Sequence, residues 1–232
     1  MRISRFLAPL GQLFYPHHCD ACGNELTPTE EVLCLRCLYK LPLTRYHLAD
    51  ENPVHRIFHG RADIRHALSA YYYEPGSPVQ QLVHQFKYLG RKDIAGFLGR
   101  KMGLLLRESS WWREVQAIVP VPLFAGKLKQ RGYNQAAVLA ESIGEVLQVE
   151  VLPHALRRER PGISQTRKGR LDRWQQLQDI FVLHNASSLA QRHVLLVDDV
   201  ITTGATTEAC ATALLRVPGI RVSIGSLAVA DR

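Results

Sequence analysis

Short uninterrupted apolar runs alternate with amphipathic stretches in the second half of the chain. The runs are residues 115–121, 194–197 and 221–228, which are predicted strands, and the stretches with apolar residues at helical spacing are 134–147 and 206–216. Uninterrupted apolar strands that alternate with helices are typical of a parallel sheet covered on both faces. The pattern therefore predicts a doubly wound α/β domain.

The pattern before residue 115 divides into three parts. Residues 67–74 predict a strand that ends at a Pro-Gly-Ser-Pro turn, and residues 79–107 predict a helix that is broken near Leu89. Residues 45–65 are rich in His and Arg, which is typical of a linker. We therefore predict an N-terminal module over 1–45, a linker over 46–66 and the α/β domain over 67–232.

Four of the five cysteines lie close together near the start of the chain. They form two Cys-x-x-Cys pairs, Cys19 with Cys22 and Cys34 with Cys37, and eleven residues separate the pairs. Two such pairs brought together by a hairpin present four thiolates tetrahedrally, which is the geometry of a structural Zn²⁺ site. A redox dithiol pair or two disulfides would use the same residues, and the two histidines before Cys19 are possible substitute ligands. We expect reduced thiols and bound zinc, because the sequence shows no secretory signal.

The charge of the chain favours an anionic partner. Lys and Arg number 29 against 21 acidic residues, and the formal net charge is +8. Residues 157–173 alone contain seven basic residues and two acidic ones. A basic surface loop without a further role, a site for a phosphate-rich small molecule and a nucleic-acid surface are all consistent with this composition.

The apolar segments of the chain are too short or too interrupted for a membrane span or a signal peptide. A spanning helix needs about 18 or more consecutive apolar residues, and the sequence contains no such run. The apolar stretch 6–14 is interrupted by Pro9, Gly11 and Gln12, and no small residues of a cleavage site follow it. We therefore predict a cytoplasmic protein without membrane insertion.

The most informative segment is the strand 194–197 and the residues that follow it. Two adjacent carboxylates, Asp198 and Asp199, come directly after four apolar residues, and a loop of small and hydroxyl-bearing residues leads into the next helix. Ligands of open α/β sheets bind at the carboxyl ends of the strands, and loop amides at a helix N-terminus hold phosphate. Paired carboxylates beside such a loop suit vicinal hydroxyls or Mg²⁺, so the predicted ligand is a ribose 5-phosphate. The alternative is that the acids only cap the loop.

This segment resembles the signature of the type I phosphoribosyltransferases, which recognise 5-phosphoribosyl 1-pyrophosphate (PRPP). The resemblance implies that the loop holds the 5-phosphate, that the paired acids contact the ribose 2- and 3-hydroxyls, and that Mg²⁺ bridges ribose and pyrophosphate. The implied phosphate-binding residues are Thr202, Thr203, Gly204, Ala205 and Thr206. We expect Gly204→Val to occupy the space that the phosphate needs.

Further motifs make the whole chain similar to the ComF family, of which the GntX proteins are the enterobacterial branch. The motifs are the two Cys-x-x-Cys pairs, Phe86-Lys87-Tyr88-Leu89-Gly90, Val119-Pro120-Val121-Pro122, Arg131-Gly132-Tyr133-Asn134-Gln135 and the segment after residue 194. The resemblance implies a type I phosphoribosyltransferase-like parallel sheet flanked by helices, with a small N-terminal zinc-finger-like module. It also implies a link to competence and to the use of external DNA.

The resemblance assigns further roles around the predicted ligand. The implied catalytic residues are Asp198, Asp199 and Arg131, and the implied pyrophosphate contacts are Lys87, Arg158 and Arg173. The basic segment 157–173 is expected to act as a flap that is poorly ordered without ligand. Gln176 stands where the family has asparagine, so a contact made by the shorter amide would differ here.

Three functions are open at this point. The first is an enzyme that transfers the phosphoribosyl group to an acceptor, and the second is a PRPP-binding sensor or adaptor in DNA uptake. The third is a nucleic-acid-associated zinc protein, whose partners would be single-stranded DNA or DNA-uptake proteins. No residue pattern marks an acceptor pocket or an oligomeric state.

Overall fold

The computed structural model describes residues 17–159 and 180–230. The helices of these ranges are α1 (Leu35–Tyr39), α2 (Pro53–Ile57), α3 (Pro78–Tyr88), α4 (Lys92–Glu108), α5 (Ala125–Arg131), α6 (Gln135–Leu147) and α7 (Ala205–Leu214). The strands are β1 (Ala67–Tyr73), β2 (Ala117–Pro120), β3 (Leu156–Arg158), β4 (Phe181–Leu183), β5 (His193–Ile201) and β6 (Arg221–Ala230). Short 3-10 turns lie at Tyr46–Leu48, Trp112–Glu114 and Ala186–Leu189. Within both described ranges, no helix has the length and apolar character needed to cross a bilayer.

Four of the strands form a parallel sheet in the order β1-β6-β5-β2. Strand β5 has a neighbour on each side, because it pairs with β6 from His193 to Ile201 and with β2 over four residues. Strands β3 and β4 form a separate antiparallel pair. The helices pack on this sheet, so the predicted parallel sheet flanked by helices is confirmed.

The uninterrupted apolar sequence of β5 reflects burial on both faces of the sheet. Leu195 and Val197 lie in one apolar cluster, which also contains residues of α4 and α6. Val194 and Leu196 lie in the other cluster, which contains residues of α2 and α7. Side chains alternate between the two faces of a strand, so covering both faces requires apolar residues at every position.

Strand β5 is longer than the apolar run predicts. It continues to Ile201, and its last residues still pair with β6, with Asp198 opposite Ser226 and Val200 opposite Ala228. The two acids therefore lie inside the strand rather than after it. The sequence-based boundary was wrong because the backbone ladder continues after the apolar side chains end. The predicted break near Leu89 is confirmed, because α3 ends at Tyr88 and α4 begins at Lys92.

The segment predicted as a linker, residues 46–66, contains a helix that packs against the sheet. Asn52 caps α2, because its side-chain oxygen accepts hydrogen bonds from the Val54 and His55 amides at 3.0 and 3.1 Å. Its amide nitrogen donates to the Ala67 carbonyl of β1 at 2.6 Å. Val54 and Phe58 are buried. The division of the chain into domains stays a prediction, but this segment contributes to the core.

The described part of the N-terminal module, residues 17–45, packs against α3 and α4. Cys19, Val32 and Leu33 are buried in the same apolar cluster as Leu82 of α3 and Leu98 of α4. The module therefore lies on the face of the sheet that is covered by α3 and α4. The last turn of α3 carries Lys87, which lies beside the end of β5.

Candidate functional site

A cleft opens beside the end of β5 and the segment after β2. Its lining includes every predicted site residue of the α/β domain that lies in the described ranges: Lys87, Arg131, Arg158, Asp198, Asp199 and Thr202–Thr206. Arg173 and Gln176 lie outside the described residues, as does the predicted flap apart from residues 157–159. Residues from four separate parts of the sequence thus meet at one surface.

The two adjacent carboxylates are held by hydrogen bonds on every oxygen. Asp198 accepts from the Asp199 amide at 2.8 Å and from the Thr207 hydroxyl at 3.0 Å. Asp199 accepts from the Val200 amide at 2.6 Å, and its other oxygen lies 2.9 Å from the Lys87 ammonium. Each carboxylate therefore has a fixed orientation at the cleft.

Lys87, the predicted pyrophosphate contact, forms an ion pair with Asp199 of the acid pair. Its side chain and that of Asp199 are 17% and 15% exposed, so the ion pair is largely shielded from water. A shielded ion pair is screened less than a surface pair, and breaking it would leave one charge without a partner. Lys87 therefore supplies positive charge beside the acids and lies within the same cleft as the loop.

The environment of Asp198 makes its ionisation unfavourable. Burial and the neighbouring Asp199 carboxylate raise the pKa of Asp198 from 3.8 to about 7, and burial makes the larger contribution. Hydrogen bonds from the Asp199 amide and the Thr207 hydroxyl oppose this rise without cancelling it. At neutral pH the pair therefore carries less negative charge than two exposed aspartates would.

The loop after β5 presents small polar residues to the cleft. Thr202, Thr203, Ala205 and Thr206 are exposed, and α7 begins at Ala205. The Ala205 amide donates to the Thr203 hydroxyl at 3.4 Å. The first amides of a helix lack partners within the helix, and with nearby hydroxyls they form a surface suited to an anion.

Gly204 is required for a reason other than the expected one. Its φ is +74°, and a Cβ built on it would lie 2.7 Å from Ile57 Cγ2 and 3.2 Å from Phe58 Cε1. These contacts belong to the segment around α2 and not to the cleft lining. The expectation that Gly204→Val fills the phosphate space was therefore wrong, because the added side chain would collide with Ile57 and Phe58 on the other side of the loop.

Arg131 lies at the end of α5 and is held by two contacts. It donates to the Gln135 side chain at 2.9 Å, and its guanidinium lies 5.4 Å from the centre of the Tyr88 ring. Gln135 is 1% exposed, so the partner of this arginine is itself fixed by packing. Arg158, the other described cleft arginine of the prediction, lies on β3 with its guanidinium 5.6 Å from the Phe181 ring centre.

Three residues of the site were missed from the sequence. Thr207 orients Asp198, and Lys127 of α5 adds a further cation to the cleft lining. Arg61 donates to the Thr203 carbonyl at 3.2 Å and forms an ion pair with Glu208, so it supports the phosphate-type loop from outside the cleft. Thr207 follows the loop motif directly and could have been found. The contact of Arg61 joins residues 142 positions apart and leaves no local signal.

The four N-terminal cysteines converge as their spacing predicts. The sulfur atoms of Cys19, Cys22, Cys34 and Cys37 all lie within 4.8 Å of one another. None of the four is joined in a disulfide. The Cys34 amide donates to the Cys19 sulfur at 3.4 Å, which is the kind of contact that stabilises a thiolate ligand. Four converging sulfurs fit a tetrahedral metal ion such as zinc.

Comparison with known proteins identifies the relatives of this chain, although no family model matches it. DNA utilization protein YhgH of Escherichia coli K12 is 30% identical over 201 residues, which are 85% of this chain and 84% of the relative. Competence protein F of Haemophilus influenzae is 33% identical over 133 residues, 56% of this chain and 58% of the relative. The chain belongs to the ComF family. The comparison confirms the family relationship that the motifs of this ComF-family chain indicate.

Solved structures similar to this ComF-family chain include two whose names refer to PRPP or to adenine. Glutamine PRPP amidotransferase of B. subtilis, complexed with ADP and GMP, is 17% identical with a TM-score of 0.43, over 61% of this chain and 30% of that chain. An adenine phosphoribosyltransferase is 16% identical with a TM-score of 0.38, over 64% of this chain and 75% of that chain.

We predict that Asp198→Asn makes the protein more stable at pH 8 but not at pH 4. Between pH 3.8, where the carboxyl ordinarily titrates, and the folded-state pKa of about 7, the folded chain keeps a proton that the unfolded chain releases. The parent protein therefore loses stability as pH rises through this window. The melting temperature of the variant should exceed that of the parent by about 2–4 °C per kcal/mol recovered at pH 8. The control is Asp63→Asn, which changes an exposed acid outside the cleft. An equal gain in the melting temperature of Asp198→Asn at pH 8 and at pH 4 would contradict this prediction.

We predict that Gly204→Ala destabilises the protein more than Gly76→Ala does. Both glycines have φ near +75°, but nothing lies within 4 Å of a Cβ at Gly76. The difference between the two variants therefore isolates the collision with Ile57 and Phe58, and overpacking of this kind costs about 1–3 kcal/mol. Urea unfolding would measure it. Equal losses in the two variants would show that only the backbone conformation matters.

Proposed function

We propose that the cleft binds PRPP, or another ribose 5-phosphate ligand, together with Mg²⁺. The observation that carries the proposal is the meeting of three chemical groups at one surface. A phosphate-type loop opens α7, two oriented carboxylates lie beside it, and four cationic side chains complete the described lining: Lys87, Lys127, Arg131 and Arg158. A sugar with a phosphate at one end and a pyrophosphate at the other presents the complementary groups.

Each group of residues has a distinct part in this proposal. The 5-phosphate takes hydrogen bonds from the amides and hydroxyls of the loop 202–206, and the ribose hydroxyls donate to Asp198 and Asp199. The pyrophosphate carries most of the ligand charge, so it lies near Lys87, Arg131 and Arg158, with Arg173 as the further contact implied by the family. Arginine matches phosphate oxygens in a bidentate geometry, which suits this end of the ligand.

The acid pair fits Mg²⁺ as an accompanying ion rather than as a permanent metal. Carboxylate oxygens are suitable ligands, but all four oxygens of the pair already have partners, and Lys87 neutralises Asp199. Magnesium prefers few protein ligands and several phosphate oxygens. We therefore propose that it would be held mainly by oxygens of the ligand, where it neutralises the pyrophosphate.

If the protein is an enzyme, its reaction is phosphoribosyl transfer. The bond between ribose C1 and the pyrophosphate oxygen breaks, pyrophosphate leaves with the electron pair, and C1 forms a bond to a nucleophilic acceptor. Asp198 and Asp199 orient the ribose for this step, and Arg131 and Arg158 neutralise the leaving group. The names of the relatives link them to DNA utilisation and competence, and we propose the same context for this chain.

A second candidate is a protein that binds PRPP without transferring it. The lining residues in the described part of the chain are polar, charged or aliphatic, and none of them is aromatic. Such a lining favours a charged sugar phosphate and offers a nucleobase acceptor no ring for stacking. Pyrophosphate release in a screen of nucleobases, nucleotides and amines would select the enzyme, and saturable binding without turnover would select the sensor or adaptor. Steeply salt-dependent binding of single-stranded DNA that PRPP does not affect would favour the nucleic-acid alternative.

We propose that the four cysteines hold one structural Zn²⁺. Purified protein should contain one zinc per chain, and Cys34→Ser should lose the metal and destabilise the N-terminal module. Replacing both His17 and His18 with asparagine is the control, because these histidines would matter only if one of them replaced a cysteine. Elemental analysis of protein prepared under reducing conditions without chelators is the measurement, and protein free of zinc would rule the site out.

We predict that the double variant Asp198→Ala and Asp199→Ala binds PRPP in the presence of Mg²⁺ at least about a hundredfold more weakly than the parent does. The reason is that each hydrogen bond from a ribose hydroxyl to a charged acceptor contributes about 1.5–3 kcal/mol. Affinity for inorganic phosphate should persist, since the loop is unchanged. Calorimetric titration is the measurement, with the exposed pair Glu141→Ala and Glu145→Ala on α6 as the charge-matched control. A parent protein that binds no PRPP at millimolar concentration would refute the proposed function.

A further inference from the structure

The last turn of α3 lies between the cysteine module and the cleft. On the module side, Arg91, which follows α3 in the sequence, forms a two-point ion pair with Asp20, at 2.7 and 2.8 Å. Arg91 also pairs with Asp93 of α4, at 2.7 Å. The Gln85 side chain also donates to the Asp20 carbonyl at 3.0 Å. Two residues that flank Lys87 in the sequence are therefore attached to a single residue of the module.

The same turn is attached to the cleft on its other side. Lys87 pairs with Asp199 at 2.9 Å, and the Tyr133 hydroxyl donates to the Phe86 carbonyl. Tyr133 belongs to the segment that carries Arg131 and Gln135 of the cleft wall. The position of the Lys87 ammonium is thus determined by contacts from the module and from the α/β domain together.

Asp20 is itself fixed by the turn that brings the cysteines together. It lies between Cys19 and Cys22, its amide donates to the Val32 carbonyl at 3.0 Å, and its side chain is 12% exposed. A two-point arginine–carboxylate contact restrains orientation as well as distance. Any change in the cysteine turn that moves Asp20 therefore acts directly on Arg91 and Gln85.

We propose that Asp20 is a positioning residue for the ligand cleft. Acting through Arg91 and Gln85, it sets the place of Lys87 against Asp199, so that metal binding by the cysteines and ligand binding in the cleft are coupled. This inference rests on the proposed function, because PRPP is the ligand by which the coupling is measured. Coupling between two binding sites is reciprocal at equilibrium, so bound PRPP should also raise the affinity of the cysteines for zinc.

The first experiment compares two variants that each remove one ion pair between the module and the α/β domain. Asp20→Asn breaks the pair with Arg91, and Glu31→Gln breaks the exposed pair between Glu31 and Arg100 of α4. We expect Asp20→Asn to keep one zinc per chain and to bind Mg²⁺–PRPP about five-fold more weakly, in the range typical of coupled sites. Glu31→Gln should match the parent in both measurements. Zinc is measured by elemental analysis and affinity by calorimetry.

The second experiment asks whether the effect passes through Lys87. In a double-mutant cycle, Asp20→Asn should weaken PRPP binding in the parent but change it less than about two-fold in a Lys87→Met background. A merely structural loss would appear equally in both backgrounds. In the parent, saturating PRPP should strengthen zinc binding in equilibrium competition with a coloured chelator, and this gain should be lost in Asp20→Asn.

Several outcomes overturn the inference. The coupling is contradicted if Asp20→Asn binds PRPP as tightly as the parent does. It is also contradicted if Asp20→Asn weakens PRPP binding equally in the presence and in the absence of Lys87. In both cases the proposed function stands. If Asp20→Asn loses its zinc, Arg91→Gln breaks the same contact from outside the cysteine turn. Asp93→Asn, which removes only the other ion pair of Arg91, is its control, and the difference in PRPP affinity between these two variants decides. A parent protein that binds no PRPP refutes the proposed function and the coupling together.

Discussion

Two adjacent carboxylates inside a buried strand are the constraint on which the rest of the site depends. Carboxylates in such a position are stable only with a partner for each oxygen, and the protein supplies an amide, a hydroxyl, a second amide and an ammonium. The ammonium comes from α3 and the hydroxyl from α7, so these helices must pack close to the end of β5. The raised pKa of Asp198 shows that the compensation is incomplete, as is common where a protein keeps charge for binding.

The constraint also explains why the module and the domain share a core. Lys87 can reach Asp199 only if the last turn of α3 stays in place. Phe86 of that turn is fully buried, and its carbonyl accepts a hydrogen bond from Tyr133. On the other side, Gln85 donates to the Asp20 carbonyl. The cysteine module, which would be too small to form a stable core alone, gains a large apolar neighbour in return.

The sequence predicts features that depend on neighbouring residues and misses those that depend on distant ones. The apolar run of β5, the cysteine spacing and the break after Tyr88 are local patterns, and the structure confirms the strand, the convergence of the sulfurs and the break. The end of β5 was misjudged because pairing with β6 is invisible in the run itself. The support of the loop by Arg61, and the true reason for Gly204, both come from a segment whose composition resembles a linker. Such contacts join residues more than 140 positions apart and follow from the topology of the sheet.

The close approach of Gly204 to Ile57 and Phe58 has a consequence for the divergence of this family. A side chain at the loop position and a large residue at position 57 or 58 exclude each other, so the loop position is not free to change alone. In a lineage that replaces the glycine, a smaller residue must first appear in the segment before the sheet. Evolutionary change in the loop is therefore limited by a part of the chain that lies outside the cleft lining.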